Sequence, residues 1–336
     1  MPRTRHSLKP GILVLALLTT SILFIVGSSL MGESEATVEA TQTVISGGGT
    51  DPASQAAAPL STRESDWKPV ADALGRTGSL MGGTVYHVAL PRTDLKVTSK
   101  GVPIKAGLSL GGYANFAKYR DGAVVMGDLV VTEDELQRVT DALQEAGIEQ
   151  TGLHKHLLQQ SPAVWWTHIH GMGDPVTLAR GLKEALAATS IPAASPTKPT
   201  QPRIDLDTSA INSAMGRKGT ADGGIFKFSV PRRDIVTDGR HILPPALGIT
   251  TAVNFQPLGN RKAAINGDFV MTADEVNKVI RALRRGGIDI VEIHNHMLND
   301  QPRLFYLHFW ATGDGTLLAK AIRPALDATN LAQPTA

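Results

Sequence analysis

Seven of the ten histidines fall in one repeated place: His154, His156, His168 and His170, then His294, His296 and His308, with Trp310 at the eighth position. Neutral imidazole is the commonest ligand for zinc and also suits copper, iron and nickel. Cysteine is absent, so disulfides, thiolate metal sites and cysteine nucleophiles are excluded. Nitrogen and oxygen donors remain, and they favour Zn²⁺, Cu²⁺ or Fe²⁺. In a strand, H-x-H sends both rings to one side. A hairpin turning symmetrically about Pro162 sets His154 across from His170 and His156 across from His168, four imidazoles on one face. A register shifted by one places the pairs on opposite faces. Three rings on an ion leave one position open for water or a ligand. With Trp310 in place of a fourth ring, the second copy is expected to bind more weakly than the first or to serve another ligand. The plainer alternative is half-buried strand histidines bonded to carbonyls and solvent.

Asp128 and Asp268 each follow a glycine inside a strand-like run, a costly place for aspartate on propensity alone. They suit outer acceptors for a ligand N–H or a general base, or an aspartate fixing a bend beside Gly127 or Gly267. Asp174 and Asp314 read as helix caps, and Glu133 has no counterpart because Ala273 replaces it. Trp165 and Trp166, like Phe305 and Tyr306, read as core and pocket wall. Arg92 and Arg232, after proline at a strand end, are candidates for binding an anionic group or for surface ion pairing.

The elements that position these residues are written twice. Residues 123–174 align without a gap to 263–314 at an offset of 140, with 19 identities in 52 positions. Upstream, Gly75 and Arg76 correspond to Gly216 and Arg217, and Pro91 and Arg92 to Pro231 and Arg232. Each copy reads as α+β. Residues 84–90 alternate like a strand, and 122–131 form a β-rich run ending at a helix start. Thr132 with Glu135, and Thr272 with Glu275, are capping boxes. Behind them Leu136, Val139 and Leu143, or Val276, Val279, Ile280 and Leu283, make one buried stripe, and Gly147 and Gly287 stop the helices. Two short β-rich segments follow, around 153–158 and 164–170. A closing helix starts at Asp174 and Pro175, with Leu178, Leu182 and Leu186 on its buried face. The second copy's closing helix contains Pro324, which predicts a kink or an early end. The fold class is a tandem duplication of one α+β module, a sheet with two helices per copy, with a pseudo-twofold relation.

Arg3, Arg5 and Lys9 precede an apolar run over 11–26 and small residues at 27–29, the layout of an export signal or a retained N-terminal anchor. Residues 1–31 are thus read as targeting segment and 32–62, rich in Ser, Thr, Ala and Gly, as flexible tether. Modules at 63–190 and 206–330 flank a proline-rich linker at 191–205. The 33 Lys and Arg against 31 Asp and Glu give +2, and losing the three N-terminal cations leaves −1, so no basic field for nucleic acid exists. Membrane contact is expected only through the N-terminal segment.

The segments Val125 to Glu135, Gly147 to His156 and Thr167 to Pro175 carry the glycine–aspartate, H-x-H and H-I-H-G blocks in which the chain resembles the LppY/LpqO family, the DUF1259 domain of unknown function. The resemblance covers both copies and implies a bacterial envelope protein. Some relatives are lipoproteins, but this chain has no cysteine to acylate, so only export, to the periplasm or the outer face of the cytoplasmic membrane, carries over. The family supplies no activity to transfer. The residues favour a binding module for a metal ion or small ligand. A metal-dependent hydrolase or oxidoreductase using His154, His156 and His168, and a structural envelope protein with incidental histidines, are the alternatives. No nucleophile elbow, phosphate loop or H-E-x-x-H helix selects a named enzyme class.

Overall fold

The computed structural model describes residues 56–193 and 201–332. The targeting segment, most of the tether and the middle of the linker lie outside the described residues. Among the described residues no helix is long and apolar enough to cross a membrane.

The first copy folds as β1 Ser79–Met81, β2 Val85–Pro91, β3 Gly111–Tyr119, β4 Gly122–Thr132, β5 Glu149–His154 and β6 Val164–Gly173, with helices α1 Lys68–Leu74, α2 Glu133–Glu145 and α3 Pro175–Ala187. Its sheet is antiparallel with order β1-β2-β3-β4-β6-β5. The second copy repeats this with α4 Thr208–Met215, β7 Thr220–Asp222, β8 Ile225–Pro231, β9 Thr250–Gly259, β10 Lys262–Thr272, α5 Ala273–Arg285, β11 Asp289–His294, β12 Leu304–Asp314 and α6 Gly315–Leu326. Its order, β7-β8-β9-β10-β12-β11, is the same. The chain is a tandem α+β duplication, with a further short helix, α1 or α4, ahead of each sheet in addition to the two expected per copy.

Strand alternation assigns the two faces of each sheet. On β4, Val125, Leu129 and Val131 join Leu136, Val139 and Leu143 of α2 and Leu178 and Leu182 of α3 in one core. The intervening Val124 and Met126 pack with Leu247, Val270 and Tyr306 of the second copy, and Val130 packs with Ile225. Each sheet therefore carries its helices on the outer face and presents the inner face to the other sheet, a helix–sheet–sheet–helix stack.

The capping boxes form as expected, and Gly147 and Gly287 take positive φ of 66° and 73° just past α2 and α5. Asp174 accepts from the Thr177 amide and Asp314 from Thr316 and Leu317. Helix α6 differs from the expectation: it runs through Pro324 to Leu326. Proline there stands two residues from the end, so the missing amide is confined to the last turn.

Arg92 and Arg232 are not open anion sites. Arg92 is 1% exposed, and its Nη1 donates to Glu135 Oε2 at 2.6 Å and to the Val130 carbonyl at 2.9 Å, while Nη2 reaches Asp94 at 2.8 Å. Glu135 also accepts from the amides of Thr132 at 2.9 Å and Ser190 at 2.7 Å. Arg232 repeats this with Glu275, Val270 and Asp234. The anion that each arginine binds is its own copy's capping glutamate. Burial works against the Glu135 carboxylate, but Arg92 and the two amides outweigh it and hold its pKa below the ordinary value.

Candidate metal centre

Strand β5 does not make the symmetric hairpin the H-x-H spacing suggested. Glu149 pairs with His170, Gly152 with His168 and His154 with Trp166, with a register shift between Gln150 and Gly152. Thr151 is the residue left over. Its hydroxyl donates to the His296 carbonyl of the second copy at 2.6 Å, and the Lys155 amide donates to Glu292 at 2.7 Å. These contacts pull the chain out of the hairpin after His154, so His156 lies beyond the strand. Strand β11 repeats the shift between Ile290 and Glu292. The four-imidazole patch within one copy is not formed.

His170 is the residue left out. On β6 it shares a face with His168 but stands two residues, roughly 7 Å, farther along. Its Nδ1 meets Glu149 at 2.9 Å and its Nε2 meets Asp238 of the second copy at 2.7 Å. Burial opposes the charge, yet the two carboxylates raise its pKa. Trp310, at the equivalent place, is 2% exposed within an apolar cluster.

The remaining six histidines meet between the sheets, three from each copy. His154 stacks on His294 with ring centroids 3.9 Å apart, His156 lies 3.7 Å from His308, and His168 lies 3.8 Å from His296. The arrangement has a pseudo-twofold axis between His154 and His294. Three sets of side chains bring one ligand atom each within 4.8 Å of one another: His154, His168 and His294; His154, His156 and His308; and Asp268, His294 and His308. Two of the sets draw on both copies and the third lies wholly in the second, so no set is confined to the first copy, where the stronger site was expected.

Backbone carbonyls orient the rings. Nδ1 of His168 faces the Gly127 oxygen at 3.2 Å, that of His308 the Gly267 oxygen at 2.8 Å and that of His296 the Gly248 oxygen at 2.9 Å. A carbonyl only accepts, so these Nδ1 atoms carry the protons and the Nε2 lone pairs point inward, the arrangement typical of metal-bound histidine. The glycine before each aspartate has a reason here: a Cβ on Gly127 would collide with the Tyr113 carbonyl, and one on Gly267 with Ala252. Asp128 and Asp268 point into the centre instead of fixing a bend. Asp128 Oδ2 lies 3.3 Å from His156 Nε2, and Asp268 Oδ2 lies 3.0 Å from His296 Nε2. They face the same nitrogens an ion would, which makes them candidate ligands as much as outer acceptors.

Polar atoms without a partner concentrate in this place: Oδ1 of Asp128 and Asp268, Nδ1 of His154 and His294, and Nε2 of His168, His294, His296 and His308. Burial, and then repulsion among the rings, hold His154, His156 and His294 well below the ordinary imidazole pKa, and burial does the same for His168 and, less strongly, His308. Neutral imidazoles are the form that coordinates. Burial beside Asp268 pushes Asp128 well up.

A cavity of about 340 Å³ opens onto the centre, lined by His156, His168, His296 and His308 and by Tyr113 and Lys227. Tyr113 pairs with Asp128 across β3 and β4, and the residue in its place in the second copy is Ala252, so the phenol stands on one side of the axis only. Burial and the nearby aspartates keep its hydroxyl protonated. His87, bonded to Asn115 at 2.8 Å, and Asn254 also line the cavity. The sequence reasoning missed Tyr113, His87, Asn115 and Lys227. Alternation along β2, β3 and β8 was the available signal, since these positions share the inner face. Trp166 and Tyr306 wall the centre, stacked on His156 at 4.4 Å and on His296 at 3.4 Å. Trp165 takes a different part: Lys155 Nζ lies 4.5 Å over its ring.

The model of the Domain of Unknown Function (DUF1259) matches residues 68–188 and 209–328, one match for each copy. The chain belongs to the DUF1259 family. No curated protein matches it at a significant level. Among solved structures it is similar to a trimeric bacterial microcompartment shell protein, PduB, at 14% identity over 75% of this chain and 88% of that one, with a TM-score of 0.19. It is also similar to a fused permuted hexameric shell protein from the RMM microcompartment, at 10% identity over 63% of this chain and 86% of that one, with the same TM-score. At that score neither likeness bears on the fold or the role of this DUF1259 chain.

Proposed function

We propose that this DUF1259 protein is of the LppY/LpqO type, is exported to the cell envelope, and binds a transition-metal ion between its two copies so that the ion faces a small-molecule cavity. One observation carries the reading: eight unpartnered polar atoms of buried imidazoles and carboxylates converge between the sheets, where each would cost free energy without a partner. Zn²⁺, Cu²⁺ and Fe²⁺ fit this nitrogen and oxygen donor set. Export rests on the N-terminal layout of three cations and an apolar run. Elemental analysis of the purified full-length protein tests the metal: bound ion in the wild type, lost in His154→Ala, supports the reading, and a metal-free wild type after incubation with each ion sinks it. A reporter fused after Ala336 that is active only in the cytoplasm sinks export.

A second reading, a metal-dependent hydrolase or oxidoreductase, draws on Tyr113. The cavity leaves room for a second molecule beside the ligand set, and a protonated phenol stands there as a hydrogen-bond donor. Turnover by the loaded protein that falls in Tyr113→Phe without metal loss favours the enzyme. Ligand affinity without turnover favours the binding module.

A further inference from the structure

The proposed metal centre contains more ligands than one ion uses, and they divide by symmetry. We infer that the centre holds two ions, one in each of two half-sites related by the pseudo-twofold axis, each half-site built from both copies. The inference rests on the metal-binding reading above.

The first half-site is His154, His156 and His308 with Asp128; the second is His294, His296 and His168 with Asp268. Their rings correspond pair for pair. Centroid separations are 4.8, 3.7 and 5.2 Å in the first and 5.2, 3.8 and 5.4 Å in the second. Ligand atoms of His154, His156 and His308 lie within 4.8 Å of one another in the first half, while in the second Asp268 and His294 do so together with His308 from across the axis. In the first, His154 Nε2 lies 2.9 Å from His156 Nε2, which lies 3.3 Å from Asp128 Oδ2. In the second, Asp268 Oδ2 lies 3.0 Å from His296 Nε2 and 3.9 Å from His294 Nε2. Donors held tetrahedrally at 2.0–2.1 Å from zinc stand about 3.3 Å from one another, so both halves are near the edge length of such a site.

The unpartnered atoms decide between one ion and two. Six of the eight come in symmetric pairs, Oδ1 of Asp128 and Asp268, Nδ1 of His154 and His294, and Nε2 of His168 and His308, while Nε2 of His294 and His296 are unpartnered where His154 and His156 meet each other at 2.9 Å. A single ion on the axis, held by the set His154, His168 and His294 with His308 as the symmetric fourth, leaves His156, His296 and both carboxylates without a role. Two ions give each half three imidazoles and one carboxylate, the four ligands zinc takes. The stacked His154 and His294 rings place the halves side by side, which suits the roughly 3.5–4 Å spacing of two-metal sites. Four of the six rings, His156, His168, His296 and His308, line the cavity, so both ions face the same ligand.

The test is a count. Full-length protein is stripped with chelator, loaded with Zn²⁺ or Co²⁺, and measured by plasma mass spectrometry and by anomalous scattering from crystals. Two ions per chain, with two anomalous peaks about 3.5–4 Å apart between the sheets, support the inference. One ion in the wild type overturns it and leaves the single-metal reading standing; none overturns both. Two ions with peaks well beyond that spacing also overturn it. The double variant Asp268→Asn, His296→Ala should drop the count from two to one while circular dichroism stays unchanged. If that variant does not fold, the wild-type count and peak spacing still decide.

Discussion

The arginine clamps on the helix side of each sheet and the histidine centre between the sheets are both buried, both rich in titratable groups, and both written twice by the same duplication. In the clamp, Arg92 has Glu135, Asp94 and the Val130 carbonyl, and Glu135 has two amides besides. In the centre, His294 has neither ring nitrogen partnered, and Asp128 and Asp268 each keep an unpartnered oxygen. A polar group that the fold needs is satisfied by the fold. One left unsatisfied at the meeting point of six rings is where the proposed ion would supply the partner. The duplication also treats the two differently. Each clamp lies within one copy, so two are made, whereas the centre lies on the axis, so the two copies share one.

The largest effect expected from this contrast is in the clamp. Arg92→Ala strands the Glu135 carboxylate and should cost about 3–5 kcal/mol in denaturant unfolding, with Arg232→Ala alike. A loss below about 1 kcal/mol, the range of exposed pairs, would erase the distinction from the surface. Next comes metal loading. Ion at a hundred times its dissociation constant should stabilise the protein by about 2.7 kcal/mol and raise its melting temperature, reversed by chelator and absent in His154→Ala. A wild type whose unfolding is indifferent to metal would put the centre in the same class as the clamp.

A smaller effect follows from pH. The Glu135 pKa is held below its ordinary 4.5, so its contribution is complete above that pH and is lost as pH falls through the folded-state value. Acid titration of stability in Glu135→Gln should be flatter in that window than in the wild type. An identical profile would mean Arg92 does not favour the ionised form. The smallest change is expected in the centre. In metal-free protein, His294→Leu replaces a ring with two unpartnered nitrogens by an apolar side chain of similar size and should move stability by no more than about 1 kcal/mol, either neutral or stabilising, while removing metal. A cost as large as that of Arg92→Ala would show the histidines to be structural.

Much of this was legible locally. Thr132 with Glu135 and Thr272 with Glu275 marked two helix starts because a capping box is complete within four residues. Leu136, Val139 and Leu143 marked the buried face because helical spacing is a property of the segment itself. The H-x-H pairs and the glycine–aspartate pairs marked the neighbourhood of the centre. The hairpin register was not legible, because Thr151 is displaced by a bond to the His296 carbonyl of the other copy. The partner of Arg92 was missed for the same kind of reason: Glu135 lies 43 residues away and had already been given a role as a cap.

By itself, then, the sequence determined the duplicated α+β unit, the starts of its two longer helices, its buried stripes and the residue types able to hold a metal, since each of these is encoded by spacing within one segment. Only the tertiary structure decided which six histidines meet. Stacking the two inner faces brings His154 against His294, and the same stacking sends His170 to Asp238 and Trp310 into an apolar cluster. The contacts that make the centre join residues about 140 positions apart, and nothing in the period of a strand specifies what will be packed against its face.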